Sequence, residues 1–521
     1  GKKNIAGKTN WDMLQKRENE AWLPRFIHEE TTMRTRLYRQ TLIWAAFLIA
    51  AAISHSQGFA QVVGSSGAGS LDDSFGEDGI LTTVISNQDD IANSVALQSD
   101  GKIIVVGVTS QNLTDSNFAV VRYDVDGSLD NVFGSNNDGK VITDIDLGDI
   151  AYDVAIQPKD QKIVVVGESS GGTVATKTRI AVVRYQKNGV VDGDFGENNN
   201  GIVILDISSL NDSARAVAIQ PNSSDPEGFK IIIVGTSNSS NTSGEFTLVR
   251  LNSDGLRDGS FGNQGIITTI IPNYSKNIAL DIEVLSTGSF VVAGSAQQGT
   301  IQNTEFVVIK YDRNGIVAPP FGIQTISFSG VEDVANAIAA QADDQIVVVG
   351  TTKLSSLVSS FAIVRLNANG ELDKGFVGNG KFTVTLSNRL DTAMGLSVQT
   401  IQGQRKIVIA GTSDAGNSDS LIAVIRMNED GFFDQDFGTN GIVETEISNR
   451  NRFDRGFGVV IQPDNRIVVV GSTQSAINNA DFAAVRYIGE EENGGNGLPT
   501  GAGSGGCFID AGRTGFLRNL F

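Results

Sequence analysis

The chain has 521 residues, of which 40% are apolar, and a formal net charge of -19. That length exceeds one small domain and that apolar share can fill a large core, while so acidic a surface repels nucleic acid and anionic lipid headgroups. A single cysteine, Cys507, excludes a disulfide framework.

Residues 1–32 precede Met33 and read as an over-extended start or a disordered leader. From Met33 onward, Arg34, Arg36 and Arg39 form a positive segment, residues 42–53 are uncharged and apolar, and Gly58-Phe59-Ala60 gives a small-residue cleavage context. This is the layout of a secretory signal peptide over residues 33–60, and its apolar run is short for a bilayer span. An uncleaved N-terminal anchor is the alternative. Cleavage after Ala60 removes both histidines, His28 and His55, and all three tryptophans, Trp11, Trp22 and Trp44. Residues 61–70 read as a short linker.

From residue 71 to 488 one pattern is written seven times. Phe-Gly, or Phe-Val-Gly once, recurs at Phe75, Phe133, Phe195, Phe261, Phe321, Phe376 and Phe437. Between these markers come an alternating run such as GILTTVI at 79–85, a piece like ANSVALQ at 92–98, a turn, the strongly apolar KIIVVGVTS at 102–110, and a closing run such as FAVVRY. The runs are short, rich in Val, Ile and Thr, and bounded by Gly, Asn, Asp and Ser, which is the strand signature. Four antiparallel strands per repeat of about sixty residues, in seven copies that cannot bury both faces alone, predict an all-β, seven-bladed β-propeller. A β-solenoid is the runner-up.

The pattern LDxxFGxxGxxxT, DxAxxVAIQxDxKIVVVG, FAVVRYxxDG resembles the delta-60 repeat family of bacterial secreted proteins over about residues 71–487. The resemblance implies a propeller-type array outside the cytoplasm and brings no established reaction. The fourth repeat departs most, with Asn277, Leu285 and Ser289 at pattern positions, and the fifth has Val317 and Ala318 in place of Leu-Asp. After the repeats, residues 489–506 read as a Gly-rich linker, and residues 507–521 carry Gly505-Gly506-Cys507-Phe508-Ile509. That run is similar to a Cys-Phe-Ile box of some bacterial secreted proteins, but continues Asp510-Ala511-Gly512-Arg513; Cys507 is a candidate attachment point.

Two sets of side chains recur with the repeat. A base closes each apolar run, Arg122, Arg184, Arg250, Lys310, Arg365, Arg426 and Arg486, and an acid stands three residues before the Phe at Asp72, Asp130, Asp192, Asp258, Asp373 and Asp434. From each of the first six bases to the next Phe is always eleven residues, so the two sets read as structural Arg to Asp pairs, since a base among apolar residues needs a partner. A third set, Asp90, Asp149, Asp212, Asn277, Asp333, Asp391 and Asp454, reads either as caps of the hairpin before the second strand or as an acidic binding ring on one face. Gln98, Gln157, Gln220, Gln341, Gln399 and Gln462 parallel it and are expected to bond backbone at strand ends.

The acids Asp124, Asp126 and Asp130 raise a calcium loop. Equivalent turns elsewhere read QKNG at 186–189, DRNG at 312–315 and NANG at 367–370, so what repeats is a polar residue and a glycine, the chemistry of a tight turn. No cofactor is implied, calcium being the alternative. Polar stretches at 109–117, 236–245 and 351–360 read as variable loops suited to binding, and insertions at 221–228 and 400–404 break the symmetry.

Without histidine a Ser-His-Asp or Cys-His arrangement cannot be built, and the usual zinc sites lack ligands. No unrepeated acid pair stands out for carboxylate chemistry. The sequence therefore reads as a secreted, monomeric, non-catalytic scaffold at the bacterial cell surface, exported to the extracellular side or the periplasm. Its partner would be a surface protein or a polysaccharide. The alternatives are a carboxylate-based glycan-active enzyme and a calcium-dependent adhesion module.

Overall fold

Runs such as IIVVGVTSQN at Ile103–Asn112 form strands because β-branched side chains suit the extended, half-buried surface of a sheet. The computed structural model describes residues 67–490 apart from 113–114, 172–176, 241–242, 300–302, 329, 342–343, 417–418, 449–451 and 477–478. These fall in the second of two units, Ser66–Phe521. The expected signal peptide and its leader, most of the Gly-rich linker and Cys507 lie outside the described residues.

The strands Asp90–Leu97, Ile103–Asn112, Asp115–Tyr123 and Lys140–Thr143 pair antiparallel in that order. The same four-stranded arrangement recurs along the chain, each time closed by the short strand that follows the next Phe-Gly turn. The sequence repeat is thus offset from the sheet by one strand. At the far end, Asp454–Ile461, Ile467–Ala476 and Asn479–Tyr487 take Ile80–Thr83 as their fourth strand, with Ile80 opposite Val485.

Counted by hydrogen bonding there are five sheets rather than seven separate ones, three of four strands and two of eight. The cause is local. Single parallel bridges, Ser116 to Gly148 and Thr304 to Glu332, join neighbouring four-stranded arrangements into one ladder.

Alternate residues of the second strand serve opposite neighbours. Ile103 and Val105 pack with Val468 and Val470 of the last sheet, whereas Ile104 and Val106 pack with Val154 and Val165 of the following one. Both faces are covered, which is why these runs are continuously apolar rather than alternating. Each such side chain contributes roughly 1.5–3 kcal/mol on burial.

Seven glycines fix the feature that shapes the site. A Cβ on Gly107 would lie 1.9 Å from the Ile91 carbonyl oxygen, and the glycine that closes each later apolar run, from Gly167 to Gly471, is as tightly placed. Opposite each one the first strand is bulged: the register slips between Ala92 and Ser94, Ala151 and Asp153, Ala214 and Ala216, Ala279 and Asp281, Ala335 and Ala337, Ala393 and Gly395, and Gly456 and Gly458. A bulge adds one residue and re-aims its side chain.

Residues 67–70 are not a free linker. Gly69 N–H donates to Ile488 O at 2.7 Å, Ile488 N–H to Ser70 O at 2.8 Å, and Gly438 N–H to Ala68 O at 2.9 Å.

Candidate functional site

The recurring bases sit at the junction between neighbouring sheets. Arg122 Nε donates to Asp130 at 2.6 Å and Nη1 to Gln98 Oε1 at 3.0 Å, the guanidinium lies 4.4 Å from the Phe133 ring centre, and Nη1 also reaches the Lys187 carbonyl of the next sheet's turn. Arg184 with Asp192, Arg250 with Asp258, Arg365 with Asp373, Arg426 with Asp434 and Arg486 with Asp72 pair at 2.6–2.8 Å. At the fourth base three members change together: Leu285 and Lys310 of the fourth repeat and Ala318 at the start of the fifth replace the Gln, Arg and Asp, and Lys310 reaches Asp344 at 3.5 Å.

The acids of the suspected calcium loop belong to this network. Lys102 bridges Asp124 and Asp130, and Asp126 accepts from the Ser128 backbone N–H and hydroxyl. Burial pushes the Asp130 carboxyl up, but Lys102, the Val132 N–H and Arg122 outweigh it and hold it below its ordinary value. Among the described residues no group of three or more His, Cys, Asp or Glu side chains is placed to hold a metal ion.

The suspected acidic ring is buried. Asp90, Asp149, Asp212, Asp333, Asp391 and Asp454 are 0% exposed and Asn277 3%. Asp90 Oδ2 accepts from the Ile85 and Ser86 N–H groups at 2.7 and 2.9 Å, and Asp149, Asp212, Asp391 and Asp454 cap the same hairpin in the same way. Burial raises the carboxyl pKa of Asp149, Asp333 and Asp391. With no exposed surface these carboxylates are closed to a ligand, and Oδ2 of Asp90, Asp149, Asp212, Asp333, Asp391 and Asp454 already binds backbone N–H. Gln98, Gln220 and Gln399 donate to the backbone carbonyls of Gln161, Gly288 and Asn465.

The polar stretches expected as loops are mostly paired strand: Thr109 lies opposite Asn117, Ser110 opposite Ser116, and Thr352 opposite Ser360. Thr109, Asn117, Thr352 and Ser360 are buried, and exposure begins only at the tip, as at residues 111–112. In the insertion at 221–228, Asp225 is buried against Lys230 at 3.0 Å.

What the bulges aim is a cavity of about 590 Å3, enclosed by the first strands of all seven four-stranded arrangements. The extra residue of each bulge lines it: Asn93, Tyr152, Arg215, Leu280, Asn336, Met394 and Phe457. The backbone repeats while the lining does not. At the next position stand Ser94, Asp153, Ala216, Asp281, Ala337, Gly395 and Gly458, and two residues further Glu283 replaces the Ala96, Ala155, Ala218 and Ala339 of other copies. Asp153, Asp281 and Glu283 are therefore acids outside the repeat, and all three are buried at the cavity wall.

Asp153 Oδ1 accepts the Ser94 hydroxyl at 2.7 Å and Oδ2 the Val217 N–H at 2.8 Å; Asp281 accepts from the Ile282 and Ile338 N–H groups at 2.8 and 2.9 Å. The Arg215 guanidinium stacks 3.9 Å from the Tyr152 ring centre, and the Tyr152 hydroxyl donates to Glu168 at 3.0 Å. Burial pushes the Tyr152 phenol up to about 12, Arg215 opposing the rise and Glu168 adding to it. Thr400 and Arg405, at the 400–404 insertion, also line the cavity. Sequence reasoning missed the bulge residues, whose signal was the glycine ending each apolar run.

Six segments of the chain, residues 98–133, 159–195, 230–261, 341–376, 405–437 and 462–487, match a family model described as "Domain of unknown function (DUF5122) beta-propeller". The matched segments are similar to a beta-propeller repeat family. No curated protein matches this chain. Solved structures similar to it include an alpha-L-arabinofuranosidase of Fusarium graminearum with an iminosugar inhibitor, at 9% identity over 64% of this chain and 92% of that one, TM-score 0.39. A Penicillium chrysogenum alpha-L-arabinanase complexed with arabinobiose is 10% identical over 64% and 91%, TM-score 0.40. The beta-propeller domain of the Trilobed protease from Pyrococcus furiosus is 11% identical over 77% and 95%, TM-score 0.36.

The expectation of a non-catalytic scaffold is corrected here. An arabinofuranosidase and an arabinanase stand among the similar structures, a likeness of fold alone. The premise behind the expectation also fails, because Asp153, Asp281 and Glu283 are unrepeated acids gathered at one cavity.

Proposed function

We propose that the chain is a carboxylate-based, glycan-active enzyme that takes its substrate into the cavity enclosed by the seven first strands. The observation that carries this reading is the asymmetry of the wall, where seven equivalent positions hold six kinds of side chain, only Asn occurring twice, and three acids outside the common pattern lie beside them. Tyr152 and Phe457 offer faces on which a sugar ring can lie, Asn93, Asn336 and Arg215 offer polar edges, and a cavity of this size suits a small ligand or chain end. Hydrolysis of a glycosidic bond needs one carboxyl to protonate the leaving oxygen and another to activate water or attack the anomeric carbon. Asp153, Asp281 and Glu283 are the carboxyls at this wall, and Asp153 or Asp281 can serve only by giving up the hydrogen bonds from Val217, Ile282 and Ile338 that hold it.

The test is release of reducing ends from a panel of plant and bacterial polysaccharides. Turnover that falls by about a hundredfold or more in Glu283→Gln, with an unchanged melting temperature, supports the reading. No turnover on any member of the panel removes it.

We also propose that the four-stranded arrangements close as a seven-bladed propeller of the delta-60 type, exported from the bacterial cytoplasm. Closure is supported by the Tyr123 hydroxyl on Thr83 at 2.7 Å, by Arg486 on the Val125 carbonyl and by the core shared between Val105 and Val468, each linking the last sheet to the first. Export is supported by the signal layout at 33–60, and N-terminal mass spectrometry of secreted material checks it: a first residue other than Gln61 overturns cleavage after Ala60.

A further inference from the structure

We infer that the cavity holds the carboxylate of an acidic sugar, seated on the guanidinium of Arg215. This rests on the reading of that cavity as a glycan site. Most charges on the wall are met within the protein. Asp153 and Asp281 accept from backbone N–H groups, Asp344 meets Lys310 at 3.5 Å, and Arg405 meets Glu429 at 3.0 Å. Arg215 differs: among the described residues its guanidinium enters no ion pair, and its partner is the Tyr152 ring. Tyr152 is itself held by Glu168, so the guanidinium lies over a fixed ring, 3.9 Å from its centre, with no carboxylate among the described residues on its N–H groups. A half-buried cation in a chain of net charge -19 that no carboxylate among the described residues pairs is a place for a foreign anion.

The chemistry of that anion follows from the surroundings. A planar guanidinium matches a carboxylate through two parallel hydrogen bonds. The neighbouring Tyr152 ring, Asn93 and Ser94 suit a sugar ring and its hydroxyls, whereas a bare inorganic anion would leave them unused.

Thermal shift and calorimetry with the full chain test this, using sodium glucuronate, sodium galacturonate, glucose and inorganic phosphate as probes. The expected result is binding of a uronate, none of glucose, and weakening by about tenfold or more in Arg215→Met, with partial recovery in Arg215→Lys, which keeps the charge but not the fork. Circular dichroism of each variant checks the fold, and Tyr152→Phe, which frees the ring from Glu168 and keeps the stack, should weaken uronate binding less than Arg215→Met does. Phosphate binding as strong as uronate, or uronate binding untouched in Arg215→Met, overturns the inference. Turnover of neutral glycans without uronate binding also overturns it and leaves the glycan-active reading standing. Arg215-dependent uronate binding with no turnover of any glycan upholds it and removes the catalytic reading.

Discussion

Arg426 ties three parts of the molecule with one side chain: Asp434 in the turn that follows its strand at 2.7 Å, Gln399 of the first strand at 3.3 Å, and the Gly489 carbonyl just past the last strand of the next sheet. Removing the base leaves Asp434 buried beside Lys406 alone. Arg426→Met is expected to cost about 3–5 kcal/mol, as breaking a buried pair does. Lys310→Met, at the repeat that lacks both acid and amide, is expected to cost less than about 1 kcal/mol. Chemical denaturation of the two variants checks the contrast, and equal costs would contradict the clamp. The Arg to Asp pairing was legible because both residues repeat at a fixed interval. The carbonyl partner was not, since every residue type carries a carbonyl and the acceptor lies 63 residues away.

At the scale of the strand, the bulge is what turns repetition into a site. Gly107→Ala would place a methyl 1.9 Å from the Ile91 oxygen, so the bulge must open or the second strand must move. We expect a loss of about 1–3 kcal/mol or more, against less than about 0.5 kcal/mol for Gly259→Ala, where nothing lies within 4 Å and φ is ordinary. Melting curves decide it, and similar losses for both would place the cost in glycine replacement as such. Strand existence was readable from β-branched runs and turn residues. The cavity lining was harder to read because Asn93, Tyr152, Arg215 and Met394 share only a position, and side-chain type is what a repeat search follows. The polar hairpins were misread as loops for a related reason: Ser, Thr and Asn also fill buried, paired positions such as Thr109 and Asn117.

Across the whole molecule, buried acids set the response to pH. Asp72, Asp130, Asp192 and Asp258 are raised by burial, yet their hydrogen bonds and the facing Arg and Lys bring each below its ordinary value. Their contribution is complete above the unfolded carboxylate value of about 3.9 and is lost as pH falls through it toward the folded values. Asp149, Asp333 and Asp391, raised by burial, act in the opposite sense: they favour the fold below the unfolded value, and that share disappears as pH rises through their folded values. Asp258→Asn should therefore melt well below the parent protein at pH 7 and approach it near pH 3. A gap that stays constant over that range would sink the paired-carboxylate account.

The strand Ile80–Thr83 is made early and used last. A chain that leaves a ribosome or a membrane pore N-terminus first carries this strand outside while its partner, Asn479–Tyr487, does not yet exist. Loop closure over such a span adds only slowly to the entropic cost, so the arrangement is thermodynamically mild and kinetically demanding. Any product cut short before residue 479 keeps a bare strand edge able to pair with another chain. Completeness of synthesis is thus recorded in the fold itself, because the final sheet cannot be finished by an unfinished chain.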